Sequence, residues 1–109
     1  MNKLIISNSA KQDIQDALSY IKYTLCNPKA ATNLADLITE KFELLLEQPQ
    51  IGSLVSDSFL CECGIRSLLI KNYRAFYTIS ETENSTTINI IRLLYAKRDF
   101  EIILKNDLF

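Results

Sequence analysis

The sequence predicts an α+β domain with the element order β-α-α-β-β-β-α. Apolar residues recur at helical spacing through the first half of the chain. From residue 64 onward, β-branched and aromatic residues dominate, as is typical of strands. We therefore expect an N-terminal strand, an antiparallel helical hairpin packed on a mainly antiparallel four-stranded sheet, and a short C-terminal helix. A length of 109 residues corresponds to one domain, spanning residues 1–109.

The first elements are a short strand and a helix. The apolar run Lys3–Ile6 predicts the strand. Ser9 and Gln12 have the spacing of a capping box, in which both side chains satisfy free helix N–H groups. The first helix is therefore expected from about residue 10 to about residue 25. Its apolar stripe consists of Ile14, Ala17, Leu18, Ile21 and Leu25.

A second helix begins shortly afterwards. Asn27 is suited to the N-cap, and Pro28 to the first helical position, where its missing N–H is not needed. Pro49 ends the helix, because it disfavours helical backbone at the preceding residue. The short link between the two helices predicts an antiparallel hairpin. The second apolar stripe consists of Leu34, Leu37, Ile38, Phe42 and Leu45.

The C-terminal half is predicted as a loop, three strands and a helix. Residues 50–63 show no strong period and are expected to form a loop. A tight turn near Asn72 separates the first two strands, and Asp99 is suited to cap the last helix. The three strands are expected at residues 68–71, 73–79 and 86–95.

Composition excludes several classes of function. No apolar run approaches ~20 residues, so no membrane span is expected. The N-terminal sequence MNKLIISNSA does not resemble a signal peptide, so a cytoplasmic location is expected. The chain has three cysteines (Cys26, Cys61 and Cys63) and no histidine, so we expect neither a metal site nor a cofactor. Ser-His and Cys-His nucleophile pairs are excluded for the same reason.

Charge is distributed unevenly along the chain. Residues 1–62 hold five lysines and eight carboxylates, whereas residues 63–109 hold seven basic groups and five carboxylates. All four arginines, Arg66, Arg74, Arg92 and Arg98, lie in the second segment. This asymmetry indicates an anionic partner.

The arginines allow two interpretations. Guanidinium groups on adjacent strands can hold a nucleic-acid backbone through paired hydrogen bonds. Alternatively, they are solvated strand residues paired with carboxylates, and this applies most to Arg92. Tyrosines 73, 77 and 95 either stack on bases or transfer protons, or they belong to the core and its rim.

Several blocks of the chain resemble the RelE/ParE superfamily of bacterial type II toxins. These blocks are SAKQDIQDALSYI, NPKAATNLADLI, QPQIGSLV, GIRSLLIKNYRAFYTI and INIIRLLYAKRDFEIIL. The resemblance implies a toxin held inactive by a cognate antitoxin. RelE-like members cleave mRNA in the ribosomal A site, and ParE-like members poison DNA gyrase without being nucleases.

The resemblance also assigns roles to residues of the C-terminal half. Arg74 follows the tyrosine that opens the middle strand, and Arg98 lies in the turn after the last strand. Both match RelE-like positions that bind and neutralise the scissile phosphate. Arg66, Lys71 and Lys97 are then expected to bind flanking RNA.

The chain also departs from the RelE-like pattern. Leu68 lies near the position of a second basic residue, and Leu104 lies where the family has a C-terminal tyrosine. Tyr95 falls where other members place a histidine, so it is either a proton-transfer residue or structural.

Three functions follow from the resemblance. The first prediction is ribosome-dependent mRNA cleavage, an endoribonuclease activity, with Arg74, Arg98 and Tyr95 as catalytic residues. The alternatives are a ParE-like inhibitor that binds gyrase, and an attenuated member that binds only its antitoxin. In each case we expect an antitoxin partner, with an acidic segment that covers Arg74 and Arg98.

Overall fold

The computed structural model describes residues 2–108, which form an α+β fold as predicted. A helical hairpin packs on one face of a mixed sheet, and two shorter helices pack on the other. The elements are β1 (Asn2–Ile6), α1 (Asn8–Ser19), a π turn (Tyr20–Thr24), α2 (Pro28–Glu47), β2 (Ser53–Leu54), α3 (Ser58–Glu62), β3 (Arg66–Ile70), β4 (Tyr73–Glu81), β5 (Thr86–Tyr95) and α4 (Phe100–Leu108).

The sheet has five strands in the order β1-β5-β4-β3-β2, whereas four were expected. The additional strand is β2, in which Ser53 and Leu54 pair with the start of β3. β1 is parallel to β5, and the other pairs are antiparallel. The predicted strand 86–95 is confirmed as β5. It lies between β1 and β4, which explains its strong β-branched character.

The first helix begins earlier and ends differently than predicted. Its N-cap is Ser7, whose hydroxyl oxygen accepts the Ala10 N–H at 3.0 Å, so the expected capping box at Ser9 is wrong. After Ser19 the backbone widens into the π turn, where the Leu25 N–H donates to the Tyr20 carbonyl. Of the predicted stripe, Ile21 in this turn still packs against the apolar cluster under the hairpin, whereas Leu25 is 55% exposed.

The second helix follows the prediction closely. The Asn27 side chain accepts the Ala30 N–H at 3.1 Å, and Pro28 occupies the first turn. The helix ends at Glu47, two residues before Pro49. Within residues 2–108, no helix is both long enough and apolar enough to cross a membrane.

Both faces of the sheet carry an apolar cluster. The face under α1 and α2 buries Leu34, Phe42, Tyr77, Ile90 and other residues. Part of the opposite face is covered by α3 and α4 through a second cluster, which contains Val55, Leu60, Ile65, Phe76, Leu94 and Leu104. Because side chains alternate along a strand, consecutive strand residues pack into the two clusters on opposite faces of the sheet.

Candidate functional site

Two turns meet at one end of the sheet. The first, at Lys71–Asn72, joins β3 to β4, and the second joins β5 to α4. The Ala96 N–H donates to the Asn72 carbonyl at 2.8 Å, and the Arg98 N–H donates to the Tyr95 carbonyl at 2.9 Å. The first bond holds the two turns side by side, and the second closes the turn after β5. We call Lys71, Arg74, Lys97 and Arg98, which lie in or next to these turns, the basic end of the sheet.

Arg74 and Arg98 are both brought to this end. Arg74 lies opposite Leu69 of β3 and Leu94 of β5. Since Leu94 belongs to the second cluster, Arg74 faces the side of the sheet that α4 covers. Arg98 is exposed, in the turn that leads into α4. Within residues 2–108, neither guanidinium has a hydrogen bond or ion pair, so both remain available to an anionic partner.

The two lysines of the basic end are exposed as well. Lys71 has a φ of 56°, a left-handed conformation that costs a non-glycine residue of order 1–3 kcal/mol. This backbone closes the tight turn that the sequence placed near Asn72. Lys97 lies in the second turn, next to Arg98. The predicted residues Lys71, Arg74, Lys97 and Arg98 therefore lie together.

Tyr95 lies on the opposite face from Arg74. It pairs with Tyr73 across the β4–β5 ladder, and the two rings meet edge to face at 5.8 Å. Tyr73 packs against the cluster beneath the helical hairpin, so Tyr95 also points to that side. Burial raises the pKa of the Tyr73 hydroxyl, and nearby Tyr95 adds a smaller contribution. The sheet therefore does not place Tyr95 with Arg74 and Arg98 around one phosphate, as the sequence had predicted.

Arg66 is separated from the basic end too. It pairs with Tyr77 at the other end of β3, about 16 Å along the strand from Lys71. Its Nη1 donates to the Gly52 carbonyl at 2.7 Å. The Tyr77 hydroxyl donates to the Pro49 carbonyl at 2.8 Å and accepts the Gly52 N–H at 2.9 Å. Arg66 thus helps to fasten the segment after α2.

Arg92 has a structural role, in agreement with the interpretation that it pairs with carboxylates. Its Nε and Nη2 donate to the Asp13 carboxylate at 2.7 and 2.9 Å, and its Nη1 donates to Asp107 at 3.0 Å. The hydrogen bonds to Asp13 hold the pKa of Arg92 above its ordinary value. A β-bulge lies beside it, between β4 and β5. Arg92 therefore links α1, β5 and α4.

The C-terminal helix contributes packing. Leu104, which occupies the approximate position of the family tyrosine, is 1% exposed within the second cluster. The Phe100 ring lies 4.9 Å from that of Phe76. Lys105 pairs with Asp57 at 3.2 Å, and the backbone N–H of Leu60 lowers the pKa of that carboxylate. Within residues 2–108, no group of three or more Cys, Asp or Glu side chains could hold a metal ion.

Sequence reasoning missed a groove beside the basic end. The groove has a volume of about 700 Å³ and lies between the π turn, the start of α2 and the ends of β4 and β5. We call it the tip groove, and its walls include Tyr20, Leu25, Leu34, Lys71, Tyr73 and Tyr95. Leu25 was assigned to the core because the periodicity of α1 gives no sign that the helix widens.

Comparisons with known proteins agree with this architecture. The structure is similar to a ParDE toxin–antitoxin protein of P. aeruginosa, with a TM-score of 0.71 and 18% identity over 89% of this chain and 98% of that one. A YoeB/ParE toxin from Agrobacterium tumefaciens gives a TM-score of 0.59 and 15% identity, covering 85% and 97% of the two chains.

The RelBE2 toxin–antitoxin complex of Mycobacterium tuberculosis also contains a similar chain, with a TM-score of 0.59 and 20% identity, covering 85% of this chain and 95% of the other. A comparison with curated protein sequences finds no significant match. Residues 4–100 match the family model of the ParE toxin of the type II toxin–antitoxin system parDE. The chain therefore belongs to the ParE toxin family.

Proposed function

We propose that this type II toxin acts by binding its target without cleaving RNA, and that the target is DNA gyrase. The ParE family match over residues 4–100 supports this choice. The observation that carries it is the position of Tyr95, which faces away from Arg74. We also propose that the toxin acts in the cytoplasm.

RNA cleavage by the 2′-hydroxyl requires a group that accepts a proton near the scissile phosphate. The strand neighbours of Arg74 are Leu69 and Leu94, and neither can transfer a proton. Leu104 is apolar and buried. The strand residues beside Arg74 therefore offer no group that accepts the proton, and positive charge in this setting suits binding better than catalysis.

Ribosome-dependent mRNA cleavage is the second candidate. Its support is that Arg74 and Arg98 have no ion pair within residues 2–108 and lie at the same end of the sheet. Two free guanidinium groups can stabilise the negative charge that develops on a phosphate. On this proposal, an exogenous group, such as one from the ribosome, supplies the missing proton acceptor.

A toxin of this family has a cognate antitoxin as its partner. We propose that an acidic segment of the antitoxin covers the basic end, because opposite charges speed association and favour this docking site. A short neighbouring gene should encode this protein, and the two chains should co-purify. Recovery of this chain alone, non-toxic and without such a gene, would contradict the proposal.

The test is to induce the chain without its antitoxin and follow DNA and protein synthesis by pulse labelling. We expect DNA synthesis to fall first, transcripts to remain intact, and the purified chain to inhibit supercoiling by gyrase. The Tyr95→Phe variant removes only the hydroxyl and should remain fully toxic. If translation falls first and cleaved mRNA accumulates, the second candidate is correct, and growth without any arrest would indicate an attenuated member.

A further inference from the structure

Two cysteines lie close together at the end of α3, outside the basic end and the tip groove. Cys61 is in the last turn of the helix, and Cys63 is its C-cap. Cys63 is exposed, Cys61 is half-buried, and both thiols are free. Neither residue has a role in the target-binding surface described above, and the inference below does not depend on whether the toxin acts on gyrase or on the ribosome.

The helix keeps the two thiols apart. Successive residues of an α-helix are turned by about 100°, so side chains two positions apart project in directions about 200° apart. The Cα atoms of such a pair are separated by about 5.4 Å, which a disulfide can span. A disulfide also needs its two Cβ atoms within about 4.5 Å of each other. The backbone spacing of Cys61 and Cys63 therefore permits a bond, but the intact last turn of α3 does not.

The turn that separates the thiols is small. α3 has five residues, and a helix of this length is marginal by itself because its nucleation is costly. The Cys63 N–H donates to the Phe59 carbonyl at 3.1 Å, and the Gly64 N–H donates to the Cys61 carbonyl at 2.9 Å. Gly64 has a φ of 79°, and as a glycine it can change its backbone conformation at little steric cost. Opening the last turn therefore breaks two backbone hydrogen bonds and meets little other resistance from the backbone.

α3 also supports the C-terminal helix. Leu60, next to Cys61 in the chain, is 0% exposed and belongs to the second cluster together with Leu104 of α4. Asp57, the N-cap of α3, accepts a hydrogen bond from Lys105 of α4 at 3.2 Å. A change in the last turn of α3 therefore reaches α4 through these two contacts.

We propose that Cys61 and Cys63 form a reversible disulfide, and that this modification opens α3 and loosens α4. The bond and the helical turn exclude each other, so each destabilises the other by the same free energy. An accessible thiol beside a second, resolving thiol is the arrangement of redox-sensing cysteines. A strained, exposed disulfide is readily reduced again. In a reducing compartment such a bond is transient, as is usual for sensing disulfides.

The oxidant in this proposal is a hydroperoxide. The sulfur of Cys63, the more exposed thiol, attacks one peroxide oxygen, the O–O bond breaks, and the second oxygen leaves as water with the thiol proton. This step gives a sulfenic acid on Cys63. When the turn opens, the sulfur of Cys61 attacks the sulfenic sulfur, and the hydroxyl group leaves as water with the Cys61 proton. The two thiols thus lose two electrons and two protons, and one molecule of hydrogen peroxide becomes two of water.

The experiment treats the reduced full chain with a small excess of hydrogen peroxide and then with dithiothreitol. Intact mass and free-thiol counts follow the bond, peptide mapping without reduction locates it, and hydrogen exchange of the backbone amides follows α3 and α4. Cys63→Ser and Cys61→Ser each remove one partner. The matched control is Cys26→Ser, because Cys26 is exposed as well but has no second cysteine nearby in the sequence. Circular dichroism checks folding, and Cys63→Ser alone is sufficient if the half-buried position 61 does not accept serine.

We expect wild type and Cys26→Ser to lose about 2 Da and two free thiols, and to regain both in dithiothreitol, since two hydrogens leave on oxidation. Cys63→Ser should show no such loss. In the oxidised wild type, the amides of Cys63 and Gly64 should exchange at least about tenfold faster, because their hydrogen bonds are broken. The amides of α4 should exchange faster by a smaller factor, and those at the centre of β5 should not change.

Three results would each overturn the inference. The first is peroxide treatment that gives sulfinic or sulfonic acids, or disulfides between two chains, without the bond within one chain. The second is a disulfide that includes Cys26. The third is a bond between Cys61 and Cys63 that leaves the exchange of the α3 amides as it is in the reduced chain, which would show that the bond and the helical turn are compatible.

Discussion

Replacing Arg92 by alanine should destabilise the fold without altering the basic end of the sheet. The guanidinium makes a two-pronged contact with Asp13 at 2.7 and 2.9 Å and a third contact with Asp107 at 3.0 Å. The side chains of Arg92 and Asp13 are only 17% and 11% exposed. Without Arg92, the Asp13 carboxylate retains the Leu93 N–H at 3.0 Å and little else.

The size of the effect follows from this burial. Removing one partner of a buried ion pair costs about 3–5 kcal/mol, because the remaining charge stays desolvated. The Asp107 contact is more exposed, at 32%, and adds roughly 0–1 kcal/mol. We expect Arg92→Ala to lower the free energy of unfolding by about 3 kcal/mol. For a chain of this length, that lowers the Tm by roughly 12 °C or more.

The assay is urea denaturation of the purified variants, together with growth arrest normalised to the amount of folded protein. Asp107→Ala is the control and should lose about 1 kcal/mol or less. In Asp13→Ala/Arg92→Ala, the loss should be smaller than the sum of the single losses, because the two residues share one interaction. An Arg92→Ala protein of wild-type stability that has lost its toxicity would show that Arg92 belongs to the functional surface.

Three further predictions concern the basic end and the fastening of the loop after α2. Arg74→Ala and Arg98→Ala should each change stability by less than about 0.5 kcal/mol, since neither side chain has a partner within residues 2–108. Each should still reduce toxicity sharply, about a hundredfold if the arginine neutralises developing charge, as growth assays at matched expression will show. Gly52→Ala should cost about 1–3 kcal/mol in urea denaturation, because its Cβ would lie 2.5 Å from the Tyr77 hydroxyl oxygen. Burial raises the pKa of Tyr73 and Tyr77, so these hydroxyls stay protonated in the fold above pH ~10, where the unfolded chain ionises. Their contribution to stability is therefore present below pH ~10 and lost as the pH rises further. Between pH 8 and 11, the free energy of unfolding should fall less steeply with pH in Tyr77→Phe than in wild type.

The long regular elements could be predicted from the sequence. Asn27 and Pro28 at its start and Pro49 just after its end predicted the second helix, because each acts on the backbone locally. β5 was predicted with its observed bounds, Thr86–Tyr95, because nearly every residue in it favours strands. These signals depend on neighbours in the chain, and a single sequence contains them.

The segment from residue 50 to residue 63 could not be predicted, because long-range contacts hold its short elements. β2 has two residues, and it exists because the start of β3 pairs with it. α3 has five residues, and buried Leu60 ties it to the second cluster. The π turn was missed for a related reason. Its widening brings Tyr20 and Leu25 to the tip groove, and the apolar spacing of α1 continues through it unchanged.

The candidate site shows the same division between local and tertiary information. Spacing along the chain placed Arg74 and Arg98 near the two turns, and the bond from Ala96 to Asn72 brings those turns together. The family resemblance also grouped Tyr95 with Arg98, which stands three positions further along the chain. In the sheet, however, alternation turns Tyr95 to the hairpin side and leaves Arg74 on the other.

This alternation bears directly on mechanism. A nuclease needs its phosphate-binding and proton-transfer groups on one surface, because the reacting atoms must be within hydrogen-bond reach of both. An inhibitor that binds its target needs only a complementary shape and charge, which the basic end can supply without Tyr95. Tyr95 then serves the tip groove, where its ring meets Tyr73. The basic end and the tip groove thus lie on separate faces at this end of the sheet.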